Sequence, residues 1–126
     1  MAGHSTQMIK GFKAEGAISR RRIVKLGAAD SGVVLGAAVG DFLIGVSTEI
    51  DSAIGEPCDV VLSGIVDVEY GGAVTRGALL TSDATGRAVS AAPAAGVNNR
   101  IIGIAMVSGV LGDIGSTLLA QGSVQG

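Results

Sequence analysis

The sequence predicts an all-β fold: a small glycine-rich β-barrel or sandwich of about ten short strands with an extended N-terminal arm. Short runs of Val, Ile and Leu alternate with glycine-containing turns along the chain, and no segment has the length and spacing of a helix. The composition agrees, since 48% of the residues are hydrophobic, only 2% are aromatic and 21 are glycine. The core must therefore be built from small aliphatic side chains, and 126 residues suit one domain.

Residues 1–16 are predicted to be a flexible N-terminal arm, and residues 17–126 a single β domain. The arm follows neither a two-residue nor a 3.6-residue period, and it mixes glycine and polar residues with Ile9 and Phe12. These two apolar side chains are suited to anchor the arm on a partner. Lys10 and Lys13 add positive charge beside them.

The first predicted strands lie within residues 17–26, 33–38, 42–48 and 58–70. Each contains β-branched residues and is directly preceded by glycine, proline or aspartate. The last has the clearest period, because Val66, Val68 and Tyr70 point one way while Asp67 and Glu69 point the other. This alternation is typical of a sheet with one solvated face.

Residues 76–92 are predicted to form a hairpin. Asp83 is placed to accept bonds from backbone N–H groups ahead of it, and Gly86 can take the positive φ of the turn. A calcium loop at Ser82, Asp83 and Thr85 is the weaker alternative, because it offers only one carboxylate.

A second strand–turn–strand unit, residues 101–122, resembles residues 43–64. The pair Gly55-Glu56 corresponds to Gly112-Asp113, and the flanking apolar residues stay in step to within one position. The sequence therefore predicts a body of two related halves.

Charge is distributed unevenly along the chain. Residues 1–26 carry six basic residues against Glu15, a net of +5, whereas the rest carries three basic residues against ten acids, a net of −7. A basic arm leading into an acidic body is typical of an interaction tail. No apolar run is long enough to span a membrane, and the N-terminus lacks the pattern of a secretory signal, so we expect a soluble protein that is not exported. The apolar excess predicts a homo-oligomer.

Residues suited to catalysis are few. His4 is the one histidine and lies in the arm, so we expect neither a Ser-His-Asp site nor zinc, and no metal or cofactor. Asp67 and Glu69 could form the acid–base pair of a small hydrolase, but a solvated strand face is favoured. Cys58 is expected to be buried and unreactive. The acidic body disfavours nucleic acid. Tyr70 is the candidate for stacking on a sugar, which leaves a carbohydrate-binding or adhesion module as the alternative function.

Several segments in succession resemble one family: RRRIVKLG, DFLIGVS, GIVDVEYGGAVTRGALLTSDATGRA and the close IIGIA with GDIGSTLL. Together they resemble the capsid cement, or head decoration, proteins of tailed bacteriophages, from about residue 17 to 122. The first fifteen residues contribute nothing to this resemblance.

The resemblance implies a structural protein rather than an enzyme. It would bind the exterior of an expanded phage head in the virion and clamp neighbouring subunits of the major capsid protein, as a trimer or a dimer. An arm that becomes ordered on binding could reach across a seam between subunits. The expected contact with an acidic capsid surface comprises the apolar and basic residues of the first 22 positions: Ile9, Lys10, Phe12, Lys13, Arg20, Arg21 and Arg22.

Overall fold

The computed structural model describes residues 6–126, and these residues form ten β-strands and no helix. The strands are β1 (Met8–Ala14), β2 (Ile23–Leu26), β3 (Gly32–Leu35), β4 (Leu43–Ser47), β5 (Pro57–Ser63), β6 (Ile65–Glu69), β7 (Leu79–Ser82), β8 (Ala88–Ser90), β9 (Asn98–Ala105) and β10 (Ile114–Gln125). The predicted all-β fold is confirmed. Over the same range, no helix exists that could cross a membrane.

The strands form two sheets with the same topology. The first is a closed barrel in the order β1-β5-β4-β2-β3, and the second is a sheet in the order β6-β10-β9-β7-β8. Adding five to each strand number of the barrel gives the order of the second sheet. The barrel closes where β1 runs parallel to β3 at Ala14 and Val33. A single parallel bridge between Tyr70 and Ala88 lies at the corresponding place in the second sheet. The two predicted halves are therefore present.

Turn geometry repeats along with topology. Gly55 and Gly112 both have positive φ, 85° and 89°. The carboxylates of Glu56 and Asp113 each accept a hydrogen bond from the backbone N–H three residues earlier, at 2.7 and 2.9 Å. The two glycine–acid pairs noted in the sequence thus close equivalent turns.

The repeat also includes a segment that the sequence analysis did not identify. Residues 16–20, GAISR, correspond to residues 72–76, GAVTR. The backbone N–H of Arg20 donates to Asp51 Oδ1 at 2.7 Å, and that of Arg76 donates to Ser108 Oγ at 2.9 Å. The next residue has positive φ in both halves, 59° at Arg21 and 93° at Gly77.

The core consists of two clusters of buried side chains. One fills the barrel and contains Ala14, Ile18, Val24, Val33, Cys58 and Val60. The other joins the interior of the second sheet to the outer face of the barrel, which contributes Ile23, Val46 and Val61. The barrel therefore has its own core, whereas the second sheet packs over the barrel. Cys58 is buried, as predicted.

Tyr70 fills the interior of the second half. Its side chain is fully buried, and its hydroxyl donates to the carbonyl oxygen of Val107 at 2.8 Å. Gly109 and Gly115 make room for the ring, because a Cβ at either position would overlap it. Burial raises the pKa of the Tyr70 phenol. The proposed sugar-stacking role is wrong for this residue, since a buried ring presents no face to a ligand.

Part of the predicted flexible arm is a barrel strand. Strand β1 pairs antiparallel with β5 along its length, from Met8 opposite Ser63 to Lys13 opposite Pro57. The Glu15 carboxylate then accepts hydrogen bonds from the N–H groups of Ala28 and Ala29, at 2.7 and 2.9 Å. The residues of β5 that pair with β1 are distant in sequence, so this pairing could not be recognised from residues 8–14 alone. The expected boundary after residue 16 falls within the barrel, and residues 1–5, including His4, lie outside the described residues.

The predicted hairpin is formed by β7 and β8. Asp83 Oδ1 accepts hydrogen bonds from the N–H groups of Thr85 and Arg87, both at 2.9 Å, and Gly86 has φ of 79°. The Asp83 carboxylate therefore stabilises the turn, which is the structural role predicted for it. Between residues 6 and 126, no three His, Cys, Asp or Glu side chains are grouped as metal ligands.

Candidate functional site

The four predicted contact residues on β1 lie on two sides of the strand, as alternation requires. Lys10 and Phe12 share one side, where the Lys10 Nζ lies 5.1 Å from the centroid of the Phe12 ring. Phe12 is half-buried and packs against the barrel core. Ile9 and Lys13 lie on the other side and are exposed. Strand β1 therefore presents two basic side chains, Lys10 and Lys13, to solvent, together with two apolar ones, Ile9 and Met8, of which Met8 is 61% exposed.

The three consecutive arginines form the turn that leads into β2. Arg21 Nη2 lies 3.4 Å from Glu49 Oε2, and Arg22 Nη2 lies 3.4 Å from Glu69 Oε1. Arg20 is exposed, and its guanidinium forms no ion pair within residues 6–126. Carboxylates of the acidic body thus offset two of the three positive charges.

Two neighbouring grooves bring several predicted residues together. Both contain Arg21 and Glu49, so they form one continuous surface, which we call the Arg21 surface. One groove is lined by Gln7, Ile9, Arg21, Thr48, Glu49, Val61 and Val66. The other is lined by Arg20, Arg21, Glu49, Asp67, Glu69, Gly112 and Ile114. Lys10, Phe12 and Lys13 line neither groove.

Asp67 and Glu69 lie on the side of β6 opposite the buried Val66 and Val68, as their alternation predicted. Both are engaged in contacts. Asp67 Oδ1 accepts a hydrogen bond from the Ser116 hydroxyl at 3.2 Å. Glu69 faces two arginines: Arg22, and Arg87, whose Nε lies 2.9 Å from Glu69 Oε2. Because Arg22 belongs to the first half and Arg87 to the second, Glu69 joins the halves. These contacts favour a structural role over acid–base chemistry.

Phe42 and Arg100 form an exposed cation–π pair that was not predicted. The guanidinium carbon of Arg100 lies 3.9 Å from the centroid of the Phe42 ring, and Phe42 is 66% exposed. Val39 and Val97 are exposed as well. This pair could not be predicted from the sequence, because Phe42 and Arg100 are distant along the chain and meet only in the folded structure.

The chain is similar to known phage proteins in sequence and in fold. The model of a family described as phage cement protein matches residues 4–112. No curated protein matches the chain. Among solved structures, the chain is similar to the N base of the head fiber gp8.5 of bacteriophage phi29, with a TM-score of 0.66 and 15% sequence identity. That similarity covers 96% of this chain and 100% of the other. At such low identity it concerns the fold alone.

Proposed function

This chain belongs to the phage cement protein family, and on that premise we propose that it binds the exterior of an expanded phage head and holds neighbouring major capsid subunits together. In doing so it stabilises the shell against the outward pressure of packaged DNA. The observation that carries the proposal is the family match, which runs from residue 4 to just before β10. The protein is made in the cytoplasm of the bacterial host and acts on the finished head.

The proposed capsid contact combines residues 1–16, of which residues 8–14 form strand β1, with the Arg21 surface. Ile9 supplies the apolar anchor, because it is 51% exposed and lines a groove together with Arg21. Arg20 supplies the main attraction to an acidic capsid patch, since its charge is not offset within residues 6–126. Lys13 is exposed on the same side of β1 as Ile9, and Arg21 lines both grooves. The other members of the proposed set lie apart from this surface, because Lys10 and Phe12 occupy the opposite side of β1 and Arg22 pairs with Glu69.

Many copies on one head make modest contacts sufficient. A homotrimer, or a dimer, engages several capsid subunits at once, so that the second and third contacts form at high effective concentration. Each arm therefore needs only weak affinity, and the assembled layer still resists expansion of the shell.

A matched pair of charge reversals tests the proposed contact. Arg20→Glu is compared with Arg76→Glu, because both arginines are exposed and occupy equivalent turns of the two halves. Binding to phage heads that lack the protein is measured by co-sedimentation, and DNA release from the heads is followed on heating. We expect Arg20→Glu to weaken binding by about tenfold, the effect of roughly one exposed ion pair replaced by repulsion. Arg76→Glu should bind as the wild type does.

The outcomes separate the site from the function. If both variants bind like the wild type, the assignment of Arg20 is wrong. If the wild-type protein neither binds the heads nor raises the temperature of DNA release, the cement function itself is wrong. Removal of residues 2–6 leaves β1 and all seven named contact residues in place, so it tests in the same assay only whether the residues before β1 contribute to binding. A deletion through residue 16 would remove β1 and open the barrel.

A further inference from the structure

The two halves place a carboxylate in the same turn but supply it from different strands. Gly27 follows β2, and Asp83 follows β7. The backbone N–H of each donates across its turn, to the carbonyl oxygens of Gly32 and Arg87, at 2.8 and 2.9 Å. Gly27 and Asp83 are therefore equivalent positions. The second turn has its carboxylate within the hairpin, whereas the first turn has glycine at the corresponding place.

Glu15 supplies the carboxylate of the first turn from the end of β1. Its backbone N–H donates to β3 at 2.9 Å, as the N–H of Gly71 donates to β8 at 2.8 Å, so Glu15 and Gly71 are equivalent as well. Acid and glycine have thus exchanged positions between the halves. A Cβ at Gly27 would overlap the Glu15 carboxylate, and a Cβ at Gly71 would overlap that of Asp83. In each half, the glycine makes room for the acid.

Glu15 also lies at the place where the barrel closes. Strand β1 pairs with β5 along its length but with β3 only at Lys13 and Ala14. We call this contact between β1 and β3 the barrel seam. The N–H of Lys13 donates across the seam to the carbonyl oxygen of Ser31 at 2.8 Å, and the N–H of Glu15 points the same way two residues later. The backbone alone therefore holds the seam over a short length.

The Glu15 side chain adds a second connection across the barrel seam. Its carboxylate accepts hydrogen bonds from the N–H groups of Ala28 and Ala29, at 2.7 and 2.9 Å. One residue is thus bonded to β3 through its backbone and to the β2–β3 turn through its side chain. In the second half, Gly71 has no side chain, and the hydrogen bonds described for the Asp83 carboxylate all lie within its own turn. That half remains an open sheet with a single bridge at this place.

We propose that Glu15 closes the barrel by coupling the β2–β3 turn to the barrel seam, so that the turn and the seam form and open together. Hydrogen bonds to a carboxylate are stronger than those between neutral groups, so two of them add substantially to a seam with few backbone bonds. When they are lost, the first half opens to a sheet like that of the second half, while β1 stays paired with β5. The inference concerns the fold of the free protein and does not rest on the proposed function.

The test is hydrogen exchange of the full chain, resolved by residue with NMR, on the wild type and on Glu15→Ala. We expect the amides of Ala28 and Ala29 to exchange at least about tenfold faster in the variant, because each loses a charge-assisted bond. The seam amide of Lys13 should exchange faster by a similar factor. The amide of Phe12 points to β5 instead, so its exchange rate should not change.

Two further variants serve as controls. Asp83→Ala removes the carboxylate of the second turn, so the Thr85 amide should exchange faster while that of Gly71 keeps its rate. The double variant Glu15→Gly, Gly27→Asp gives the first half the arrangement of the second. Its new acid should protect the first turn again, and its barrel seam should stay open.

Unchanged exchange of the Lys13 amide in Glu15→Ala would overturn the proposal, because the carboxylate would then serve only the turn. A double variant whose seam is as protected as in the wild type would overturn it too, since the turn and not Glu15 would then close the barrel. Circular dichroism verifies folding. If Glu15→Ala unfolds, Glu15→Gln decides the question. It keeps the length and one acceptor oxygen of the side chain, so the Lys13 amide should exchange at least about threefold faster, and an unchanged rate would refute the coupling.

Discussion

Replacing Tyr70 with phenylalanine removes one hydroxyl from the interior of the second half. That hydroxyl donates to the carbonyl oxygen of Val107 at 2.8 Å, and the side chain is fully buried. Loss of the bond costs about 1 kcal/mol, and a carbonyl left buried without a partner raises the cost to about 3 kcal/mol. Val107 is 42% exposed, so water can reach this loop. We therefore expect Tyr70→Phe to lower the free energy of unfolding by about 1–1.5 kcal/mol.

Thermal and urea unfolding followed by circular dichroism at pH 7 measures this loss. For a domain of this size, 1 kcal/mol corresponds to a fall in Tm of about 3–5 °C. The urea midpoint should fall while the slope with denaturant stays the same, because the substitution exposes no new surface. A Tm within about 1 °C of the wild type would refute the assignment of a stabilising buried hydrogen bond to Tyr70.

The same substitution should alter the response to alkaline pH. Burial raises the pKa of the Tyr70 phenol above its ordinary value of 10.0, and the nearby Asp113 carboxylate adds to the shift. The folded state therefore holds this proton more tightly than the unfolded chain, so the contribution to stability is intact below pH 10 and is lost as the pH rises above it. The Tyr70→Phe variant has no phenol to ionise at this position, so the difference in unfolding free energy between it and the wild type should become smaller above pH 10. A constant difference across that range would contradict the argument.

Two further predictions concern carboxylates. Glu69→Gln leaves Arg22 and Arg87 without their shared partner, so unfolding free energy should fall by about 1–3 kcal/mol. Glu49→Gln changes a side chain that is 76% exposed, so it should lower the free energy of unfolding by only about 0–0.5 kcal/mol when both variants are titrated with urea. Equal losses in the two variants would contradict the argument that the less exposed ion pairs stabilise the fold more. Two backbone N–H groups lower the pKa of the Glu15 carboxyl below 4.5, so its stabilisation is complete above that pH and is lost as the pH falls through the folded-state pKa. Glu15→Gln should weaken the acid dependence of stability, and an unaltered acid limb would contradict this.

Features determined by neighbours in sequence could be predicted from the sequence. The alternation that places Val66 and Val68 inside, opposite Asp67, is a property of a few consecutive residues, and the structure confirms it. The turn held by Asp83 and Gly86 is equally local. In both cases the residue types that favour the local geometry stand next to one another.

Features determined by distant residues could not be predicted in the same way. Strand β1 is held by β5, about fifty residues later in the chain, and its own sequence lacks a clear period. The arginines at positions 20–22 were interpreted as free charge for a partner, but Arg21 and Arg22 meet Glu49 and Glu69 in the fold. Charge counted along the chain says nothing about such pairings, because they depend on tertiary structure.

The internal repeat was only partly visible for a related reason. It was recognised where glycine and acid recur at fixed spacing, in the turns of residues 43–64 and 101–122. It was missed at residues 16–20 and 72–76, where Ile18 replaces Val74 and Ser19 replaces Thr75. These substitutions preserve the β-branched or hydroxyl character of the side chain, but they reduce the number of identical residues by which the repeat can be recognised. The strand order of the two sheets made the equivalence plain.

Within residues 6–126, Arg21 is the one non-glycine residue with positive φ, and the other half has Gly77 at the same turn. An L-residue in the left-handed region is less favourable than glycine by about 1–2 kcal/mol. The barrel therefore stores conformational strain at a turn that its own repeat forms without strain. The strained position is also where the two grooves of the Arg21 surface meet. At this turn, the first half has an arginine side chain on the surface, whereas the glycine of the second half allows a less strained backbone.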